Sequence, residues 1–293
     1  MAYQSVSRRI FLTCNYLFFI LVSLSILIPF LNAIAISLSD AQAVVKGNIG
    51  IWPQGFNLEG YKRLLGSSQF MHSVFNTVFL TVVNTFLVII ISIAAGYALA
   101  NKHFIGKGFM FIYILIPLYF NGGLIPTYLL VNNLGLNETF LALILPNIVS
   151  VFYIIVFRNT IDQLPRELME SAEIDGASEP RILGQIILPL ILPMTMAFVI
   201  FSAVAYWNEW FGVLLYIRDK SMWTLQFQLR DILVNADLAD TQTQQAIVQN
   251  GPRVNPQNLK MAALMITILP IIVIYPFVQK YFIHGQLVGA VKG

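Results

Sequence analysis

Six long apolar stretches alternate with polar segments along the 293-residue chain. Each stretch is long enough to cross a lipid bilayer as a helix, which takes about 17–25 mostly apolar residues. The stretches cover about residues 10–39, 71–100, 109–131, 139–157, 186–211 and 259–282. This pattern predicts an all-α polytopic membrane protein with six transmembrane helices in a single transmembrane domain, residues 1–293.

The first apolar stretch has two interpretations. Arg8 and Arg9 precede it, and 33–35 resembles the small-residue cleavage site of a signal peptide. The apolar core of a signal peptide is only about 7–15 residues long. Because this stretch is much longer, a retained first transmembrane helix is the favoured interpretation.

The third stretch is interrupted by Pro117, Pro126 and the polar segment 121–123. Broken backbone survives at membrane depth only where protein or water in a cavity satisfies the freed polar groups. A break within the span is one reading of 119–126. The other is an ordinary helix that ends near Tyr119 and is followed by a re-entrant or interfacial turn.

Composition supports a membrane protein, and the residues and motifs that are missing exclude several kinds of functional site. Hydrophobic residues make up 57% of the chain and charged residues 11%, outside the usual globular mixture. The single cysteine, Cys14, rules out a disulfide framework and a multi-cysteine metal site. The sequence also lacks the usual motifs of metalloproteases, serine hydrolases and phosphate-binding loops. We therefore expect no catalytic residue, no metal site and no nucleotide site of that kind in this chain.

The short loops set the orientation, because lysine and arginine concentrate on the cytoplasmic side of membrane proteins. The 101–107 loop holds two lysines, whereas 132–138 holds no lysine or arginine. Arg8 and Arg9 agree with the first loop. Both termini are therefore expected in the cytoplasm, with 40–70 and 212–258 on the opposite side.

A polar island at 165–189 stands out between the fourth and fifth stretches. It holds five of the chain's fourteen acids, namely Glu167, Glu170, Glu173, Asp175 and Glu179. Pro165 suits a first helical turn, acids near that end suit the helix dipole, and Gly176 can end the helix at a positive φ. The pattern predicts a helix within 165–177 and a second one from Pro180 toward the fifth span. A solvated loop is the plainer alternative.

The island resembles the EAA loop of ABC importer permeases, on the residues Glu170-Ser171-Ala172, Asp175-Gly176-Ala177, Pro189 and Pro193. Ser171 stands where alanine is usual, and Leu183-Gly184 replaces an aromatic-led pair. The segments 121–130, 206–211, 275–282 and 289–293 are similar to the MalG-like carbohydrate branch, in particular its oligo- and polysaccharide group.

This resemblance implies a type I ABC importer permease in the bacterial cytoplasmic (inner) membrane. Such a permease pairs with a second, different permease, two ATPases that bind ATP and Mg, and an extracytoplasmic solute-binding protein; it binds no nucleic acid. The resemblance implies that Glu170 reaches a basic residue of the ATPase and that the tail near Gln286 lies between the ATPases. The implied coupling residues are Glu167, Glu170, Ser171, Ala172, Asp175, Gly176, Ala177 and Gln286.

The substrate is less defined than the coupling. Sugars are recognised by hydrogen bonds and aromatic faces, so Tyr206, Trp207, Asn208 and Glu209 are candidates for the transport path. Interfacial anchoring is the alternative for tryptophans. The 217–258 loop is expected to meet the binding protein or the partner permease. Which sugar is carried stays open, an acidic polysaccharide such as alginate included.

Two functions from other classes remain open. An ion-coupled secondary transporter needs ionisable groups within the membrane, and Glu209 is the nearest candidate for one. A non-transporting scaffold would use the polar island to recruit a soluble protein. Transport in the absence of ATP would favour the first of these, and ATP hydrolysis stimulated by a sugar-loaded binding protein would exclude both.

Overall fold

The computed structural model describes residues 6–234 and 255–289, with side chains of the last helix described as far as Pro276. Helices and turns make up these residues, and no β-strand occurs among them. The all-α prediction is confirmed. The helices before the polar island are α1 (Val6–Ser37), α2 (Ala41–Val45), α3 (Glu59–Leu65), α4 (Ser68–Ala100), α5 (Lys107–Tyr119), α6 (Leu124–Asn133), α7 (Leu141–Ile144) and α8 (Val151–Asp162).

The second half of the chain contains shorter helices and one long terminal helix. They are α9 (Glu167–Ile174), α10 (Glu179–Ile182), α11 (Leu188–Leu190), α12 (Leu192–Trp207), α13 (Phe211–Tyr216), α14 (225–234) and α15 (Pro256–Gly289). A π-helical segment, Leu183–Ile187, joins α10 to α11. Three helices of the described chain could cross a membrane alone, and up to six spans result if each bent helix pair is one span.

Three of the apolar stretches are bent pairs of helices. For two of them, the fourth and the fifth, the sequence pattern suggested single helices. The α5–α6 pair turns by 112°, the pair 141–147 and α8 by 45°, and the pair 179–190 and α12 by 86°. Proline lacks the N–H that an interior helical position donates, and it clashes with the preceding turn. Pro146, Pro189 and Pro193 lie at or beside the second and third bends. Helix α5 ends at Tyr119, as one reading of the third stretch required, and α6 follows after four residues.

The chain divides into two compact units. The first consists of Met1–Met71 and Leu229–Ile268, the second of His72–Gln228 and Leu269–Gly293, as far as these residues are described. In the first unit, the Asn258 side-chain amide donates hydrogen bonds to the backbone oxygens of Ile36 and Ser39, at 2.7 and 2.8 Å. These bonds join the start of α15 to the end of α1. Helix α3 is short and amphipathic, with Leu64 buried and Glu59 partly exposed.

The second unit contains two apolar cores. One lies beneath the polar island and is built around Phe157, Ile161, Ile182, Ile187 and Phe198. Helices α4 and α8 approach closely there because Gly96 has no side chain. A Cβ at Gly96 would lie 2.9 Å from both the backbone nitrogen of Arg158 and the Cβ of Phe157.

The other core contains Leu143, Val213 and Trp223 and supports the segment after α13. Glu138 fixes that segment, because its carboxylate accepts hydrogen bonds from the backbone N–H groups of Arg218 and Asp219 at 2.9–3.1 Å. Glu138 adopts φ 58°, a left-handed conformation that is uncommon for a residue with a side chain. Asp219 in turn accepts the backbone N–H of Ser221, which lowers the pKa of its carboxyl from the ordinary value. Hydrogen bonds to polar backbone groups, not apolar packing alone, therefore hold this loop in place.

Candidate coupling surface and transport path

The predicted helix of the polar island is present as α9, Glu167–Ile174. Glu167 and Glu170 lie in its first turn, where carboxylates stabilise the exposed N–H groups of the helix end. Arg166 occupies the N-cap position and forms an ion pair with Asp162 at 3.2 Å. The helix is shorter than the predicted segment 165–177, because the last three residues form its terminating turn.

Gly176 ends α9 in a complete Schellman motif. Its φ is +76°, its N–H donates to the Glu173 oxygen at 3.0 Å, and the Ala177 N–H donates to the Ala172 oxygen at 2.9 Å. These are the two bonds that define the motif, and glycine is favoured at the left-handed position. The sequence prediction that Gly176 makes the turn agrees with this geometry. The motif reverses the chain direction before Ser178 and thereby fixes the angle between α9 and α10.

The two faces of α9 have different surroundings. Ala172 is buried and, with Met169 and Ala177, packs on the apolar core beneath the island. Ala172, which the resemblance assigned to the coupling residues together with Ser171, thus lies on the inward side of the helix. The reason is helical spacing, since Met169 and Ala172 are three residues apart and share one side. The exposed residues of the segment include Glu167, Glu170, Ser171, Glu173, Ile174, Asp175 and Gly176.

Ile174 is the most unusual member of that exposed face, because 86% of its surface is accessible. Leu168 is 44% exposed on the same helix. Two large apolar side chains among carboxylates give an eight-residue helix a mixed apolar and acidic outer surface. Such a surface suits contact with a protein partner, where apolar anchors are surrounded by polar groups.

A groove of about 140 Å³ separates α9 from the loop that follows α4. Lys102 and His103 form part of one wall, and Arg166, Glu170 and Glu173 form part of the other. From the sequence, the 101–107 loop was only an indicator of orientation. The structure brings this loop beside Glu170, because α4 and α8 pack closely at Gly96 and their C-terminal ends therefore lie next to each other.

Tyr97 connects α4 directly to the segment after the Schellman turn. Its hydroxyl donates a hydrogen bond to the carboxylate of Glu179, the first residue of α10. Hydrogen bonds to ionised acceptors are stronger than neutral ones. Tyr97 is therefore a tether between α4 and the island, and no motif in the sequence indicated it.

A second cavity, of about 230 Å³, lies where the fourth and fifth apolar stretches are irregular. Its lining includes polar groups from both stretches, namely Asn147, Ser150, Tyr153, Ser202, Tyr206 and Glu209. Two of the four candidates for the transport path, Tyr206 and Glu209, therefore share one cavity. The other four polar residues were missed, and the signal that could have found them was Pro146, which marks the helix break.

Each remaining path candidate has a defined place. The Asn208 amide donates to the Val204 oxygen at 2.8 Å and its oxygen accepts from Gln226 at 2.8 Å. Trp207 is partly buried at the last position of α12. Glu209 is partly buried, and one carboxylate oxygen accepts the Gly212 N–H at 2.6 Å. Glu209 thus orders the turn into α13 as well as lining the cavity.

Two predicted features lie outside the described residues: the side chain of Gln286, and residues 235–254 of the 217–258 loop. Within the described ranges, no group of three or more histidine, cysteine or acidic side chains could hold a metal ion.

Comparisons with known proteins match most or nearly all of the chain. Residues 92–286 match the family model of the "binding-protein-dependent transport system inner membrane component". The chain is 40% identical over 292 residues to protein LplC of Bacillus subtilis (strain 168), covering 99% of this chain and 98% of that protein. It is 33% identical to the polygalacturonan/rhamnogalacturonan transport system permease protein YtcP of the same organism, covering 98% and 100%.

A solved structure matches as well. A chain of a bacterial ABC transporter that imports the acidic polysaccharide alginate superposes with a TM-score of 0.89 at 27% identity, covering 96% of this chain and 100% of that one. The resemblance that the EAA-like loop carried is confirmed by these matches. The chain belongs to the family of binding-protein-dependent transport system inner membrane components, and it has the fold of ABC importer permeases.

Proposed function

We propose that this chain is one of two different permease subunits of an ATP-driven importer of oligo- or polysaccharides in the bacterial cytoplasmic membrane. The main support is the exposed helix α9, rigidly ended by Gly176 and set on a core of the same chain, in a member of this transport family. A relative whose name specifies polygalacturonan/rhamnogalacturonan transport supports the sugar class.

The proposed orientation places both termini and α9 in the cytoplasm. The arrangement of the loops supports it, since the lysine-bearing 101–107 loop lies beside α9. Segments 40–70 and 212–258 then lie on the outer side, where a solute-binding protein delivers the sugar. Cations concentrate on cytoplasmic loops, which is the physical basis of this orientation.

Coupling would proceed through the outer face of α9. Two ATPase subunits bind ATP and Mg, and this chain needs no cofactor of its own. Glu167, Glu170, Ser171, Asp175 and Gly176 are exposed and available to an ATPase, and Gln286 is proposed to contact it from the tail. Ala172 and Ala177 instead hold the helix on its own core. Closure of the ATPases would draw α9 inward and tilt the spans between inward-facing and outward-facing states.

Glu170 tests the coupling role most directly. A charge-assisted hydrogen bond contributes about 1.5–3 kcal/mol, so Glu170→Ala should weaken ATPase binding by about 10- to 150-fold. Assembly with the second permease should be retained, because Glu170 is exposed and outside the core. Glu59→Ala is the control, since Glu59 is also an acid in the first turn of a helix and is partly exposed, but it lies in the proposed outer segment.

The decisive measurement is ATP hydrolysis by the purified complex with a panel of oligosaccharide-loaded binding proteins. We expect stimulation by at least one loaded binding protein, and loss of that stimulation in Glu170→Ala but not in Glu59→Ala. Uptake that continues without ATP under an ion gradient would instead establish a secondary transporter. Stimulation unchanged by Glu170→Ala would refute the role given to that carboxylate.

A further inference from the structure

We infer that the cavity between α8 and α12, lined by Asn147, Ser150, Tyr153, Ser202, Tyr206 and Glu209, binds uncharged sugar units and disfavours uronate units. This inference rests on the proposed transport of oligo- or polysaccharides and specifies the chemistry that this chain contributes. It assigns a binding site to a place in the fold. The sugar class that it gives to this chain differs from the acidic polysaccharides that are named for YtcP and for the alginate importer.

The location of the cavity follows from the broken helices around it. The fourth stretch changes from a 3-10 turn, Leu145–Asn147, to α8 through the non-helical 148–150 segment. Non-helical backbone is tolerated at membrane depth where it lines a cavity or contacts other protein groups. Here the Asn147 oxygen accepts the Tyr206 hydroxyl at 2.7 Å, so one freed carbonyl is satisfied across the cavity. Substrate sites of other transporters are also formed at such helix breaks.

The polar groups of the cavity already have defined hydrogen-bonding directions. Ser202 donates to the Tyr153 hydroxyl at 3.3 Å, which leaves the Tyr153 proton able to donate to a ligand. The Ser150 oxygen accepts the Tyr153 N–H at 3.4 Å, so the Ser150 hydroxyl proton is also able to donate. Because Tyr206 donates to Asn147, its oxygen is the part that can accept from a ligand.

Rigid support keeps these groups in place. The Tyr153 ring stacks on Phe198 with centroids 4.3 Å apart, and Phe198 belongs to the buried core of the second unit. Glu209 holds its own position through the bond to the Gly212 N–H, which uses one of its two carboxylate oxygens. The cavity therefore offers preset donors from hydroxyl groups and preset acceptors from Tyr206 and Glu209.

This arrangement matches a neutral sugar unit, whose hydroxyl groups both donate and accept hydrogen bonds. The lining residues include one carboxylate, that of Glu209, and no lysine, arginine or histidine among the described residues. A uronate unit replaces a donating hydroxyl by a second carboxylate. Like charges in a partly desolvated site repel, and no cation in the lining offsets that repulsion.

The test uses the intact complex of both permeases and both ATPases, with ligand binding measured by equilibrium dialysis in the absence of binding protein. The probes are matched pairs of tetrasaccharides that differ only by oxidation at C6, such as α-1,4-linked galactotetraose and tetragalacturonate. A glucose-based and a mannose-based pair extend the test to other stereochemistries. We expect wild-type complex to bind the neutral member of at least one pair at least tenfold more tightly than its uronate.

Glu209→Gln should reduce that preference to less than about threefold, because it removes the charge while keeping an oxygen that can accept from Gly212. Glu59→Gln removes a partly exposed carboxylate that is not part of the cavity lining, and it should leave the preference unchanged. Tyr206→Phe should weaken binding of both members of a pair, because the hydroxyl acceptor is lost.

Three outcomes would overturn the inference: tighter uronate binding by wild type, no binding of any neutral probe at millimolar concentration, or an unchanged preference in Glu209→Gln. ATP hydrolysis stimulated by a loaded binding protein is measured on the same preparations. If stimulation is present while any of these outcomes occurs, only the site assignment fails. If stimulation is absent with every binding protein, the proposed importer function fails instead. Thermal melting of each variant separates loss of binding from loss of folding.

Discussion

The turn at Gly176 offers the sharpest test of how α9 is held. Its φ of +76° is a left-handed conformation, and a Cβ added there would meet no heavy atom within 4 Å. An alanine side chain at this position would therefore make no steric clash with the rest of the chain. The free-energy cost of Gly176→Ala is the backbone strain alone. That strain is about 1–2 kcal/mol, which corresponds to about a 5- to 30-fold loss of the correctly turned form.

Three substitutions separate the contributions at this position. Gly176→Asn should be milder than Gly176→Ala, because asparagine adopts the left-handed region more readily. Gly176→Pro should be the most severe. Proline fixes φ near −65°, removes the N–H that donates to Glu173, and restricts Asp175 before it. The affinity for the ATPase should fall in the order wild type, Gly176→Asn, Gly176→Ala, Gly176→Pro. Transport should be lost in Gly176→Pro.

The chain supplies a matched control at the end of α6. Gly135 has φ +68°, its N–H donates to Asn132, and the Leu136 N–H donates to the Val131 oxygen, so the same Schellman motif is present. Added Cβ atoms meet no heavy atom within 4 Å there either. Gly135→Ala should therefore lower thermal stability as much as Gly176→Ala does, while ATPase binding stays at the wild-type level.

The assay is co-purification and titration of the ATPase against membrane-extracted permease pairs, followed by uptake in proteoliposomes. Wild-type transport by a Gly176→Pro complex would refute the reasoning. Equal loss of ATPase binding in Gly135→Ala would also refute it, because the effect would then be one of general stability and not of the coupling turn.

Substitutions at three other positions test the packing and the loops. Gly96→Ala should lower the free energy of unfolding by about 1–3 kcal/mol, because its Cβ would lie 2.9 Å from backbone and side-chain atoms of α8. The melting temperature of the purified protein measures this loss. An unchanged melting temperature would show that the two helices separate freely. Glu138→Ala should lower stability by about 1.5–3 kcal/mol, since the backbone N–H groups of Arg218 and Asp219 lose their acceptor, and Glu138→Gln should lose less because it keeps an acceptor oxygen. Tyr97→Phe should speed hydrogen exchange in 165–187 relative to wild type, because α10 loses its tether to α4, and equal exchange would exclude the tether.

Local sequence information was sufficient for the features that depend on neighbouring residues. Apolar length predicts membrane helices because the bilayer core has a fixed thickness. Pro165, the early acids and Gly176 predict where α9 begins and ends, because capping involves residues only a few positions apart. The all-α fold and the family relationship were both available from the printed residues alone, and both are confirmed.

Only the tertiary structure decided which of these residues share a surface. The inward position of Ala172 depends on the core beneath α9, and the groove beside Glu170 depends on the crossing of α4 and α8 at Gly96. The polar cavity joins Asn147 to Tyr206 across 59 positions of sequence. Such contacts are determined by helix packing and by bends whose angles no local pattern specifies, so the sequence could name Tyr206 and Glu209 as candidates but could not assemble their site.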